Sequence, residues 1–141
     1  MTLTREAIVD GLIGLLGADK VDTDEQTLKK NSLDRYRKLE DIFGIYNLPI
    51  PAAVVRVTST DDVSKTLAFC NEHTINVVPK TGGTATEGGL ETIAENSIVI
   101  DGKAMNQIVS IDEFDMQSTV QCGVKLQDLE DQLRPLGLTT G

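Results

Sequence analysis

The chain has 141 residues, a length that fits one domain and buries roughly two-thirds of its unfolded surface without staples. Hydrophobic residues make up 40%, charged residues 25% and aromatic residues 4%, so Leu, Ile and Val must fill most of an ordinary globular interior. The 22 Asp and Glu outnumber 13 Lys and Arg for a net charge of −9, a field that repels phosphate backbones and anionic lipid and excludes nucleic acid as a partner.

Leu3, Ala7, Ile8, Leu12, Leu15 and Leu16 recur at helical spacing, which predicts an amphipathic helix over residues 3–16. The same stretch is interrupted by Asp10 and by Gly11, Gly14 and Gly17. It therefore makes a poor signal peptide and is too short for a membrane span, so a cytoplasmic, reduced protein is expected. Thr23 with Gln26 resembles a capping box opening a short helix to Lys30. A further helix is predicted from Leu33 to Phe43, with Tyr36, Leu39, Ile42 and Phe43 on one side. Leu48-Pro49-Ile50-Pro51 then stops helix formation.

Beyond that linker, Ala53-Val54-Val55-Arg56-Val57 reads as a buried strand. Ser59 with Asp62 marks a helix start, and Val63, Leu67 and Cys70 lie on one face of a helix ending near His73. Ile75 to Val78 and Ser97 to Asp101 are the next strands, so residues 53–101 hold a β-α-β unit plus one strand. That order favours a small parallel sheet in an α/β fold. Gln107 to Asp112 and Met116 to Cys122 predict an antiparallel hairpin. Leu126, Leu129, Leu133 and Leu136 mark a helix closed by Pro135 and Gly137, and the stop at Gly141 reads as cut rather than finished.

The chemistry-bearing stretch is Pro79-Lys80-Thr81-Gly82-Gly83-Thr84-Ala85-Thr86-Glu87-Gly88-Gly89. Its glycines let backbone N–H groups approach an anion closely. Thr81, Thr84 and Thr86 add hydroxyls, and Lys80 adds one positive charge. It is neither a Walker A loop nor a G-x-G-x-x-G turn, and the same composition fits a bare surface loop between strands. Elsewhere, Cys70 and Cys122 form no C-x-x-C pair, and the single His73 leaves no familiar zinc spacing. Cys70 reads as core, Cys122 as core or, next to Gly123, as facing a bound ligand, His73 as structural, and Asp61-Asp62 and Glu130-Asp131 as solvated helix positions. No residue stands out as catalytic.

The order of strand, helix, Val-Val-Pro-Lys-Thr-Gly-Gly-Thr loop and Ile-Val-Ile-Asp strand resembles the first flavin-binding segment of the vanillyl-alcohol oxidase / p-cresol methylhydroxylase (PCMH-type) family. Pro79, Gly83, Thr84, Gly88 and Gly89 match its Pro-Arg-Gly-x-Gly-Thr loop and the two glycines beyond, with Lys80 replacing Arg. Asp101 to Ile108, Val120 to Val124, Leu136-Gly137-Leu138, Leu16-Gly17…Val21 to Asp24 and Asn31 to Asp34 resemble further landmarks. Thr81 and Ala85 depart from the pattern where relatives often have Gly, and Glu87 should point away from a diphosphate.

The resemblance implies a PCMH-type FAD-binding domain. Its expected parts are a helical lead-in over 1–50, a first α/β subdomain over 51–104, and the start of a second, antiparallel one over 105–141. It implies FAD held at Pro79, Lys80, Thr81, Gly82, Gly83, Thr84, Ala85, Thr86, Gly88 and Gly123. No His or Cys lies between Thr74 and Gln121, which implies non-covalent FAD at this segment. The implied activity is flavin-dependent oxidation of a 2-hydroxy acid, alcohol or related small molecule by a longer protein, with weak FAD binding and no turnover from this chain alone. An unpaired edge at the 107–122 hairpin implies homo-oligomers. Two other readings stay open: a non-catalytic nucleotide- or anion-binding module, and an interaction domain without ligand.

Overall fold

The computed structural model describes residues 3–35, 37 and 48–141. Helix α1 (Arg5–Leu16) starts at Thr4, whose hydroxyl accepts the Ala7 N–H at 3.3 Å. A 3-10 turn over Ala18–Lys20 leads into β1 (Val21–Asp22), followed by α2 (Glu25–Lys30). The capping residue of α2 is Asp24, which accepts the Thr27 N–H at 2.9 Å. The expected cap, Thr23, is displaced because Asp22 leaves the strand and its own carboxylate holds the Asp24 N–H at 2.9 Å. The predicted helix from Leu33 to Phe43 falls mostly outside the described residues.

Strand β2 (Ala53–Arg56) is followed by α3 (Thr60–Glu72), β3 (Val77–Lys80) and β4 (Ile98–Asp101). The sheet order is β1-β2-β4-β3, with β1 antiparallel to β2 and the remaining pairs parallel. The two central strands are the continuous apolar runs. Ala53, Val54, Val55, Ile98 and Val99 are all buried, as expected for strands covered on both faces. One face packs Val55, Ile98 and Ile100 under Ile8 and Leu12 of α1 and Cys70 of α3. The other packs Val54, Val78 and Val99 under Leu28 of α2.

Strand β3 begins two residues later than Ile75. Thr74 takes a left-handed conformation (φ 55°), and the Ile75 N–H donates to the Cys70 carbonyl at 2.8 Å. Residues 74–76 are therefore spent leaving the helix, and Pro79 and Lys80 belong to the strand. Pro79 is tolerated because β3 is an edge strand, where a missing N–H has no partner to deprive.

The second sheet is the hairpin of β5 (Ile108–Asp112) and β6 (Gln117–Val120), paired antiparallel with an irregularity between Ile108 and Ser110. Met116, expected in the strand, occupies the turn at φ 55°. Helix α4 (Leu126–Leu133) and a 3-10 turn (Arg134–Leu136) end at Gly137.

Two acidic residues expected in solvent are buried. Asp62 is 6% exposed and accepts Lys20 Nζ on both carboxylate oxygens at 2.8 Å, with the Thr58 N–H and hydroxyl at 2.9 and 2.8 Å. Glu130 is 8% exposed and accepts the N–H and hydroxyl of Thr140, the Thr139 hydroxyl and Arg134 Nε. The donors come to Asp62 from the residues just before its helix and from the 3-10 turn at Lys20, and to Glu130 from the segment that folds back after Gly137. No helix among the described residues is long and apolar enough to cross a membrane.

Candidate functional site

The glycine-rich segment leaves the C-terminal end of β3 and returns to the start of β4. Parallel strands direct ligands toward that end of a sheet, because the connecting loops leave a crevice there. Gly83 (φ +68°) and Gly88 (φ +86°) hold left-handed conformations that favour residues without a Cβ. Thr81 and Ala85, the positions that depart from the family loop, do not, so their side chains are accommodated without strain.

The loop is fixed at its two ends and open in its middle. At the entrance, Lys80 Nζ donates to the Asn31 side-chain carbonyl, and the Lys80 carbonyl accepts the Gly102 N–H at 2.9 Å. Beyond the tip, the Ala85 carbonyl accepts the Arg35 N–H at 3.2 Å. At the exit, the Gly88 N–H donates to Asp34 Oδ2 at 2.5 Å. Among the described residues, no acceptor takes the N–H groups of Gly82, Gly83, Thr84, Ala85 or Thr86. Backbone amides presented in this way are the donors an anion needs.

Two clefts meet at Gly82. A pocket of about 160 Å³ is lined by Lys30, Asn31, Leu33, Arg35, Lys80, Gly82, Gly83, Leu90 and Lys103. A wider cleft of about 930 Å³ is lined by Thr81, Gly82, Thr84, Lys103, Asn106, Cys122, Gly123, Val124, Lys125, Leu126 and Asp128. Five of the 13 Lys and Arg, namely Lys30, Arg35, Lys80, Lys103 and Lys125, thus border one turn of a chain whose net charge is −9. A cleft concentrates field from such a cluster and attracts anions against the general charge. An apolar groove of about 480 Å³ lies alongside, bordered by Val63 and Leu67 of α3, Pro79 of β3 and Cys122.

The structure brings most of the sequence-predicted residues to these clefts. Pro79 and Lys80 close β3, Thr81, Gly82 and Thr84 line the wide cleft, and Gly83 lines the small pocket. Ala85 is held from behind by Arg35, and Thr86 and Glu87 are exposed, bordering neither cleft. Gly123 lines the wide cleft, but its N–H donates to the Met105 carbonyl at 2.8 Å. Its contribution is close approach: a Cβ there would lie 2.5 Å from the Gly102 carbonyl oxygen and 2.7 Å from that of Lys103.

Cys122 is exposed at the cleft wall rather than in the core, whereas Cys70 is buried, and burial pushes its thiol up to about 11. His73 caps α3 with its ring edge-on to Phe69 at 4.7 Å, a structural position. Among the described residues no group of His, Cys, Asp and Glu is arranged to hold a metal.

Sequence reasoning missed the support from residues 31–35 and Arg37. Beyond the contacts at Asn31, Asp34 and Arg35, Arg37 Nε pairs with Glu91 Oε1 at 2.8 Å, and the Thr92 N–H donates to the Ser32 carbonyl at 3.1 Å. The only sequence signal was the match of Asn31 to Asp34 to a family landmark, which carries no partner.

Comparison with known proteins fits this geometry. Residues 51–141 match a family described as an FAD binding domain. The chain is 62% identical over 141 residues, its whole length, to the uncharacterized FAD-linked oxidoreductase YgcU of Escherichia coli (strain K12), spanning 29% of that protein. Its fold matches the solved structure of alkyldihydroxyacetonephosphate synthase with a TM-score of 0.84 at 21% identity, covering 99% of this chain and 26% of that one. It also matches p-cresol methylhydroxylase with a TM-score of 0.71 at 23% identity, covering 94% of this chain and 25% of that one. The chain thus spans less than a third of the length of each protein.

Proposed function

The chain belongs to the FAD-binding-domain family, and from that premise we propose that residues 80–86 form the turn that holds the FAD diphosphate. The observation that carries this reading is the run of amides at Gly82, Gly83, Thr84, Ala85 and Thr86, which no described acceptor takes, set among Lys30, Arg35, Lys80, Lys103 and Lys125. A diphosphate needs N–H donors, positive charge and a cleft of ligand size, and all three meet at Gly82. Backbone N–H groups are the main donors, Lys80 and Lys103 supply charge, and the Thr81 and Thr84 hydroxyls add donors at the cleft wall. Gly88 lets the loop close, and Gly123 brings the second sheet against residues 102–103. Pro79 sets the direction in which the chain enters the turn.

FAD held here would supply the hydride- or electron-accepting chemistry, the protein contributing binding and orientation. We assign the chain to a flavin-dependent oxidoreductase acting on a 2-hydroxy acid, alcohol or related substrate, with no catalytic residue placed among residues 1–141. The cofactor is proposed to be non-covalent at this segment, which has no His or Cys from Ile75 to Gln121. The division into a lead-in over 1–50 and subdomains over 51–104 and 105–141, and a cytoplasmic location, belong to the same proposal. So does self-association through the β5–β6 hairpin, supported by exposed Val109, Phe114 and Met116.

Calorimetric titration with FAD and with riboflavin tests the reading. Saturable heat from FAD but none from riboflavin is expected, because riboflavin lacks the diphosphate. Equal heats from both, or none from FAD, would refute it.

A further inference from the structure

Several of the contacts that hold the glycine-rich loop come from outside the matched family region. That match begins at residue 51, whereas the loop is gripped by Asn31, Asp34 and Arg35, and Glu91 and Thr92 just after it by Arg37 and Ser32. We infer that Asn31, Asp34, Arg35 and Arg37 are a working part of the FAD site, with Asp34 as the positioning residue that presets the loop before the diphosphate arrives. The inference rests on the FAD reading above.

Asp34 is 0% exposed and its carboxylate is a two-sided brace. Oδ2 accepts the Gly88 N–H at 2.5 Å, and Oδ1 accepts the Arg37 N–H at 3.0 Å. Gly88 sits at φ +86°, and its carbonyl accepts the Glu91 N–H at 3.1 Å. Glu91 in turn pairs with Arg37, so carboxylate, glycine turn and ion pair close into one ring. The brace touches the exit of the loop and leaves the amides at Gly82 to Thr84 open. A loop ordered beforehand spends less conformational entropy when its ligand binds.

Coulomb's law alone gives Asp34 the opposite effect. A carboxylate close to a diphosphate repels it, so removing the charge would tighten binding. Weaker binding after Asp34 is neutralised therefore isolates positioning from charge.

The test uses this chain with three substitutions. Asp34→Ala removes the brace, and Asp34→Asn replaces one acceptor oxygen by an NH2 group that cannot accept a backbone N–H. Asp62→Asn breaks a buried network away from the loop and serves as the control for lost stability. The readouts are FAD Kd by flavin fluorescence, melting temperature without FAD, and amide hydrogen exchange at Gly88 without FAD. Asp34→Ala is expected to raise Kd at least tenfold and speed Gly88 exchange at least tenfold, with Asp34→Asn between it and wild type. Asp62→Asn should lower the melting temperature while leaving Kd within twofold. Gly88 exchange unchanged by Asp34→Ala overturns the inference, as does an unchanged or tighter Kd. Should the unaltered chain take up no FAD, the FAD reading fails, and slowed Gly88 exchange released by Asp34→Ala still decides whether Asp34 braces the loop. Should Asp34→Ala not fold, the same criteria apply to Asp34→Asn at threefold.

Discussion

Replacing Gly83 by Val should weaken FAD binding more than replacing Lys80 by Ala, although only the second removes a charge. Gly83 lies at φ +68°, and a Cβ there would meet nothing tighter than Lys80 Cε at 3.4 Å. Space is therefore not the obstacle; backbone torsion is. The left-handed region costs an L-residue about 1–2 kcal/mol, with a β-branched side chain at the upper end. The free loop escapes that strain by leaving the region, and FAD must then draw it back. The cost appears in Kd as a factor of about 5–30. Lys80→Ala removes one cation of a cluster in which Lys30, Arg35 and Lys103 still line the same pocket. A partly exposed ion pair is worth about 0.2–1 kcal/mol, or up to roughly fivefold. Flavin fluorescence titration of both variants, with melting curves to confirm folding, gives the comparison. A Gly83→Val chain that folds and binds FAD as well as Lys80→Ala does would show that the left-handed turn at Gly83 is not needed for binding.

Three further outcomes are expected. For Asp62, burial pushes the carboxyl up, but the hydrogen bond from Lys20, the Thr58 N–H and hydroxyl and the Lys20 charge outweigh it and hold it well below the usual range. Hydrogen bonds from the Thr140 hydroxyl and N–H lead in bringing Glu130 down to about 2. Both native values lie below the unfolded ones, so their stabilisation is full above about pH 5 and is lost as pH falls below about 4. Melting curves from pH 7 to pH 3 should show this, with a flatter acid limb in Asp62→Asn. A thiol reagent at pH 8 should label one cysteine per folded chain, exposed Cys122, and the second, buried Cys70, only after denaturation. Gly123→Ala forces a Cβ onto two backbone carbonyls and should cost about 1–3 kcal/mol, seen as a melting temperature lower by several degrees.

Much of the fold is legible in the chain because its central strands are unbroken apolar runs. Ala53 to Val55 and Ile98 to Ile100 read as buried strands and are buried. Strand β1 is not legible, since two residues carry no periodicity and their extended state comes from pairing with Val54 and Val55. Strand β3 is displaced in the sequence reading because Pro79 argues against a strand, and only edge placement makes it acceptable. At the site, the glycine spacing marks the loop, but its support is non-local. Asp34 and Gly88 are 54 residues apart, and nothing in either residue's neighbourhood names the other. The burial of Asp62 escapes detection for the same reason, since Lys20 lies 42 residues away; that of Glu130 escapes it because its donors Thr139 and Thr140 reach it only through the fold-back at Gly137.

Docking of the diphosphate on the amides of the 80–86 turn is open to an amide-resolved NMR titration with ADP. The largest shifts should fall on Gly82, Gly83, Thr84 and Ala85, with smaller ones at Lys103 and Gly123, and riboflavin should leave these amides unmoved. Largest shifts along the α3 groove at Val63 and Leu67 or on the β5–β6 hairpin, with the loop amides unchanged, would contradict it.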